Sequence, residues 1–261
     1  PVPCPQPYLQ PKRAYEGYHS VSLASHMEAY RRHWNALGIT FAGILSGYLA
    51  SPEAAYQTAE FVDTFHHPGV TYLCDPVLGD QGRVYKGFTD ASIEAMRSLA
   101  EKADFLTPNL TEFCLLTGTE MDAIMNREKE DKDALFAILT QKAAAFSQTD
   151  LVITGIPLKG EKSGKEICNL IISKGSSHPV IFPHLGGSYS GTGDLFAAVL
   201  LAARLHKEGL VPSVNKAGQF IAKGITAAQK EHTPGNAGID YEPFLPLLRS
   251  SKEDGHDSAH A

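Results

Sequence analysis

The sequence predicts an α/β fold in which a central, mostly parallel sheet carries helices on both faces. Three observations predict it. Short apolar runs alternate with segments of helical periodicity along most of the chain. Four successive apolar runs end in a polar or glycine-containing turn, as strands of a parallel sheet do. The composition is that of a globular domain, 43% hydrophobic and 20% charged over 261 residues.

The elements follow in order. Leu23, Met27, Tyr30, Trp34 and Leu37 recur at helical spacing, and Gly38 stops that helix. Residues 39–45 are an apolar run closed by Ser46-Gly47, which predicts a buried strand. Pro52 opens a helix running to about Thr64. Residues 70–74 predict a strand ending at Asp75-Pro76, and residues 79–87 a glycine- and charge-rich loop. A helix over 89–102 carries Ile93, Met96 and Leu99 on one face. A short strand over 104–106 ends at Thr107-Pro108-Asn109, and a helix from Thr111 to Leu116 stops at Gly118. A helix over 132–146 leads to a strand over 151–154 that ends at Gly155. Residues 167–173 and 179–182 predict a hairpin around a turn at 174–178. Two apolar helices, 193–205 and 213–229, complete the pattern.

No repeat and no shift of composition marks a linker, so residues 21–249 read as one domain. Residues 1–13 hold five prolines, and residues 1–20 read as an irregular surface segment. Residues 250–261, small and polar, read as a disordered tail. The net charge of −6 argues against nucleic acid or an anionic membrane as partner. No apolar run has the length of a membrane helix, and no basic segment followed by an apolar one opens the chain. Four scattered cysteines, Cys4, Cys74, Cys114 and Cys168, predict reduced, buried thiols and a cytoplasmic protein.

In such sheets ligands bind beyond the carboxyl ends of the strands. Those ends hold Ser46-Gly47-Tyr48, Asp75-Pro76-Val77, Thr107-Pro108-Asn109 and Thr154-Gly155. The sharpest signal is Ser190-Gly191-Thr192-Gly193-Asp194 ahead of an apolar helix. Glycines let backbone approach a ligand, and amides at a helix start carry partial positive charge, a cradle for an anion. Asp194 in the first turn has the chemistry of a base for an attacking hydroxyl. The plainer reading is a helix cap with no ligand. Asp75, Asn109 and Glu112 offer hard oxygens of the kind that hold Mg²⁺ partly through water. Singly, each has a bland role: a turn, a cap by Asn109 or Thr111, and a first-turn acid. The stretch 160–165 is a poor phosphate loop, because Glu166 stands where a hydroxyl residue is needed.

Taken together, these segments resemble one family. Ser46-Gly47-Tyr48-Leu49, Asp75-Pro76-Val77-Leu78-Gly79-Asp80, Thr107-Pro108-Asn109-Leu110-Thr111-Glu112, Val152-Ile153-Thr154-Gly155 and Gly191-Thr192-Gly193-Asp194-Leu195-Phe196 are similar to the blocks of the pyridoxal kinases, the vitamin B6 branch of the ribokinase-like superfamily. The resemblance runs from about Ser20 to Leu248 and implies a three-layer ribokinase-like fold. It implies ATP-dependent phosphorylation of the 5′-hydroxymethyl group of pyridoxal, pyridoxamine or pyridoxine. Asp194 is then the base and the amides of Gly191, Thr192, Gly193 and Asp194 the anion hole. Asp75, Asn109 and Glu112 serve Mg²⁺, and Asp75, Thr107, Thr154 and Gly155 lie near the ATP phosphates. Tyr48 packs near the pyridine ring, Tyr85 lies in the loop closing over the nucleotide, and Tyr189 lies near adenine. A homodimer is implied, and a monovalent cation is a further expectation.

The resemblance also implies a strand and helix ahead of Ser20, which the proline-rich opening does not match; the expectation is a truncated, locally frame-shifted reading of the gene. The alternatives are a hydroxymethylpyrimidine or sugar kinase of the same superfamily, a non-catalytic ATP-binding remnant, and a generic α/β binding module.

Overall fold

The computed structural model describes residues 21–121, 124, 132–147, 149–159 and 165–249. The expectations for residues 1–20, 160–164 and 250–261 lie outside the described residues. The chain divides into two compact units, one ending at His184 and one beginning at Leu185, where the sequence predicted no boundary.

In the first unit, helix α1 (Ala24–Ala36), strand β1 (Gly43–Ser46), helix α2 (Pro52–Phe65) and strand β2 (Thr71–Cys74) follow the predicted order. A short ribbon of β3 (Gly79–Asp80) and β4 (Arg83–Val84) comes next, then α3 (Asp90–Ala100), β5 (Phe105–Leu106), α4 (Leu110–Thr117) and α5 (Lys132–Phe146). Strands β6 (Asp150–Lys159), β7 (Lys165–Ser173) and β8 (Ser176–Pro183) close it. One six-stranded sheet has the order β1-β2-β5-β6-β7-β8. The first four strands are parallel, and β7 and β8 run antiparallel beyond them. Tyr72, Leu73 and Cys74 on β2 are all fully buried, the mark of a strand covered on both faces.

The core gathers Val62 and Phe65 of α2, Met96 and Leu99 of α3, and Leu135 and Leu139 of α5 around Leu106 and Ile153 of the sheet. Trp34 of α1, Phe41 ahead of β1, and Phe61 and Phe65 of α2 form an aromatic cluster with centroids 4.6–6.0 Å apart. Such contacts add to the area they bury and join α1 to α2. Cys74, Cys114 and Cys168 are free and buried, and burial pushes their thiols up to about 12, 11 and 12.

Three local expectations change. The strand at 151–154 does not stop at Gly155 but runs on to Lys159, with the pairing to β7 shifting register between Ile153 and Ile156. Gly155, at φ +70°, is the residue that lets the strand bulge and continue. The predicted turn at 174–178 contracts to Lys174-Gly175, with φ of +50° and +76°. The predicted loop at 79–87 contains the ribbon β3–β4, turning at Gln81-Gly82 with φ of +52° and +76°. Both turns need positive φ at two successive residues, the mirror-image turn that suits a twisted hairpin. Pro179 fits inside β8 because β8 is the sheet edge, where an absent N–H costs no ladder bond.

The second unit holds α6 (Thr192–Leu205), α7 (Leu210–Lys230) and two 3₁₀ segments, Gly235–Ala237 and Glu242–Leu248. α7 starts three residues before the predicted Ser213, and Pro212 sits in a first turn that leaves its N–H unused in any case. No helix among the described residues is long and apolar enough to cross a membrane.

The two-residue turn gives a direct test. Gly175→Ala puts a side chain at φ +76°, at a cost of about 1–2 kcal/mol. A thermal melt a few degrees below the parent is expected; an unchanged melt contradicts the turn assignment.

Candidate active site

The parallel strands bring their ends together by hydrogen bonds that run one step past each strand. The Asp75 N–H donates to the Ser46 carbonyl (2.8 Å), the Thr107 N–H to the Cys74 carbonyl (3.2 Å) and the Thr154 N–H to the Pro108 carbonyl (2.8 Å). Asn109 and Thr154 form a parallel bridge. Asp75, Thr107, Asn109 and Thr154, predicted from three separate turns, therefore lie along one edge of the sheet. Tyr48 lies just beyond β1, its ring edge-on to Phe88 with centroids 5.5 Å apart.

Asp75 and Glu112 are buried carboxylates, 6% and 4% exposed. Asp75 accepts the Thr107 hydroxyl at 2.9 Å. Glu112 Oε2 accepts the Asn109 N–H (2.8 Å), and Oε1 accepts the Leu78 N–H (3.2 Å). Asn109 Oδ1 in turn accepts the Glu112 N–H at 3.0 Å, completing a capping box on α4. Burial, and then the charge of Asp75, push the Glu112 carboxyl well above the ordinary glutamate value, although the backbone donors oppose the shift.

Asn109 Nδ2 also donates to the Gly79 carbonyl at 2.8 Å, so both of its polar atoms are engaged within the protein. Thr111, weighed in the sequence only as a cap, accepts the Gly82 N–H at 2.9 Å. Asn109, Thr111 and Glu112 thus pin the ribbon to the start of α4, and Tyr85 follows that ribbon with its N–H on the Leu78 carbonyl (2.9 Å). The Gly155 N–H is taken by Asn169 Oδ1 at 3.1 Å. Asn169 is a buried amide on β7 that the sequence reading missed, because nothing in the run of apolar residues around it marks it.

Among the described residues no group of three or more His, Cys, Asp or Glu could hold a metal unaided. Asp75 and Glu112 are two hard donors whose charges oppose one another, a pair that fits a divalent cation completing its shell with water and phosphate oxygens.

In the second unit, Gly191 at φ +77° is the N-cap of α6, and no side chain caps that helix. The Thr192 hydroxyl donates backward to the Tyr189 carbonyl at 3.1 Å. Leu195 is the first residue of the turn whose N–H reaches back to the Gly191 carbonyl (3.0 Å). The amides of Thr192, Gly193 and Asp194 precede it, in the turn that finds no carbonyl of its own helix. A Cβ at Gly193 would meet nothing within 4 Å, and its φ is not positive. Neither crowding nor backbone conformation calls for glycine there, and the space a side chain would fill is open. Asp194 reaches solvent, yet the protein around it removes part of its water and pushes its carboxyl up from the ordinary aspartate value.

A family model described as phosphomethylpyrimidine kinase matches residues 21–238. The chain belongs to the phosphomethylpyrimidine kinase family. Among similar proteins of known name, pyridoxal kinase of Dictyostelium discoideum is 26% identical over 236 residues, 84% of this chain and 72% of that one. Against some other curated relatives the matched stretch spans about half of their length. A Bacteroides thetaiotaomicron protein classed as a phosphomethylpyrimidine kinase, crystallised with pyridoxal, is 29% identical with a TM-score of 0.79, covering 90% of this chain and 80% of that one. Pyridoxal kinase of Lactobacillus plantarum is 25% identical with a TM-score of 0.78, covering 93% and 84%. The α/β fold expected from the motifs is thus the fold of the pyridoxal kinases, carried here by a family member.

The capping box can be tested apart from catalysis. Asn109→Ala removes the acceptor for the Glu112 N–H and the donor to Gly79. A loss of about 1–2 kcal/mol in urea unfolding is expected; no loss contradicts the structural role.

Proposed function

We propose that the chain transfers the γ-phosphoryl group of ATP to the 5′-hydroxymethyl oxygen of a B6 vitamer: pyridoxal, pyridoxamine or pyridoxine. The observation that carries the reading is the open glycine start of α6 with Asp194 in its first turn. Bare amides of this kind suit the charge of a phosphoryl group in transfer, and a carboxylate raised by its surroundings suits a proton acceptor. The choice of vitamer draws on a 29% identical relative crystallised with pyridoxal and on relatives named pyridoxal kinase. Those relatives favour it over a pyrimidine or sugar acceptor.

The Asp194 carboxylate takes the proton from the 5′-hydroxyl. The freed oxygen forms a bond to the γ-phosphorus, the bond to the bridging oxygen breaks, and ADP leaves with that electron pair. The amides of residues 191–194 receive the charge spread over the transferring oxygens. Asp75 and Glu112 would hold Mg²⁺, whose chemistry is to neutralise phosphate charge, and Asn109 keeps Glu112 in place. Thr107 and Thr154 offer hydroxyls at the same sheet edge, and Gly155 shapes that edge through its bulge. Tyr48 packs near the pyridine ring, Tyr85 belongs to the loop that covers the nucleotide, and Tyr189 lies near adenine. A homodimer in the cytoplasm, with a monovalent cation among its ligands, completes the proposal.

Gly193→Ala separates this reading from a plain helix cap. Alanine is the better helix former by up to about 1 kcal/mol, so the fold keeps or gains stability. A methyl group in the cradle should lower kcat/KM by about 10²–10³-fold. Retained activity points to a cap without a ligand.

The decisive assay follows pyridoxal 5′-phosphate formation from pyridoxal, ATP and Mg²⁺, beside a panel of the other vitamers and a hydroxymethylpyrimidine. Product that disappears in Asp194→Asn supports the proposal. No vitamer turnover, or a preference for the pyrimidine, overturns it. The base must be ionised, so kcat/KM should rise with pH through a value above the ordinary aspartate pKa of about 3.9. Because the folded carboxyl is raised, its ionisation costs stability as pH climbs through that value. Asp194→Asn escapes that cost, and should melt no lower than the parent at neutral pH while losing activity.

A further inference from the structure

We propose that Ser190 and Gly235 form a clamp that sets the backbone direction of the phosphoryl cradle, which makes both of them positioning residues for the transfer. The inference rests on the role given above to residues 191–194, and every residue in it belongs to the second unit. Ser190 is buried and immediately precedes Gly191, the left-handed residue from which α6 springs. Its N–H donates to the Gly235 carbonyl at 2.9 Å, and its Oγ donates to the same oxygen at 3.2 Å. One carbonyl therefore holds both the main chain and the side chain of the residue that enters the cradle.

Residue 235 has to be glycine for this approach. A Cβ there would lie 2.2 Å from the Ser188 carbonyl oxygen, a main-chain atom that cannot swing aside. The carbonyl is itself held in place. It opens the 3₁₀ segment Gly235–Ala237, and the buried Ile239 just beyond packs on α7 at Gly224, where a Cβ would come 2.5 Å from Ile239 Cδ1. Gln229, also on α7, donates its Nε2 to the Leu185 carbonyl at 2.6 Å. One helix thus anchors both the start of the 185–191 segment and the loop that grips its end. Turning the 190–191 peptide would turn the amides at 192–194 with it. The Ser190 hydroxyl spends its proton on the Gly235 carbonyl, and that carbonyl already accepts the N–H groups of Ser190 and Gly238, so their influence passes through the cradle.

The test uses the full chain with Ser190→Ala and Gly235→Ala. The readouts are N–H residual dipolar couplings along α6 and steady-state kinetics with pyridoxal, ATP and Mg²⁺. The couplings of residues 192–194 should change in both variants while those of 197–204 stay put. With them, kcat should fall at least tenfold in Gly235→Ala and a few-fold in Ser190→Ala, with KM for pyridoxal within twofold. Ser190→Ala adds no bulk and keeps the N–H bond, so it tests the clamp even where Gly235→Ala fails to fold. Unchanged couplings at 192–194 in folded Ser190→Ala overturn the proposal, as does a change confined to KM. If the parent phosphorylates no vitamer, the functional reading falls, and the couplings alone decide: moved amides support the clamp and unmoved amides overturn it.

Discussion

The first unit depends on how it buries the Glu112 carboxylate. A carboxylate 4% exposed must find donors or be neutralised, and this one sits close enough to Asp75 to feel its charge. The donors it finds are backbone amides of two different loops, that of Leu78 after β2 and that of Asn109 after β5. A group that caps one helix therefore also joins two strand ends. Asn109 closes the arrangement by returning bonds to Glu112 and to Gly79. Those bonds, with the Gly82 N–H on the Thr111 hydroxyl, tie the β3–β4 ribbon to the start of α4. Removing the charge from this network changes geometry as well as electrostatics, which is why a metal role and a structural role for Glu112 are not exclusive.

Much of this was legible in the sequence for a simple reason. A parallel strand buried on both faces must be apolar, and the polar turn ending it must lie at the sheet edge where ligands bind. Asp75, Thr107, Asn109 and Thr154 could be gathered from turns alone, and the order of helices and strands followed from the same alternation. What escaped depends on pairing partners that a single stretch of chain does not reveal. Gly155 reads as a stop when seen alone, and becomes a bulge once β7 offers a ladder on its far side. Gln81-Gly82 and Lys174-Gly175 form mirror-image turns without the asparagine or aspartate that usually announces them. Asn169 is hidden in an apolar strand, and the bond from Ser190 to Gly235 spans 45 residues. The two-unit division left no trace in composition.

The two units build their polar surfaces differently. At the sheet edge the groups are side chains: carboxylates, an amide and hydroxyls, each held by a neighbour. At the start of α6 they are main-chain amides, with Asp194 the one acidic side chain of the helix's first turn. On the function proposed above, the difference matches what each would meet. A cation carries a fixed charge throughout a reaction and is met by fixed opposite charge. The charge on a transferring phosphoryl group moves, and dipoles of neutral amides can face it without a proton being gained or lost.

A cradle of amides can be tuned only by moving the main chain, since it has no side chain to exchange. Whatever holds residues 190 and 191 therefore sets the direction in which such a cradle faces. The glycines divide accordingly. Gly235 lacks a side chain because the protein leaves no room for one, whereas Gly193 lacks one where the protein leaves ample room. Crowding explains the first and cannot explain the second. On the proposed function, the absence of a methyl group at Gly193 is a feature of the shape the cradle would present to a ligand, and it is the point at which this sequence departs from what a stable helix alone would ask of it.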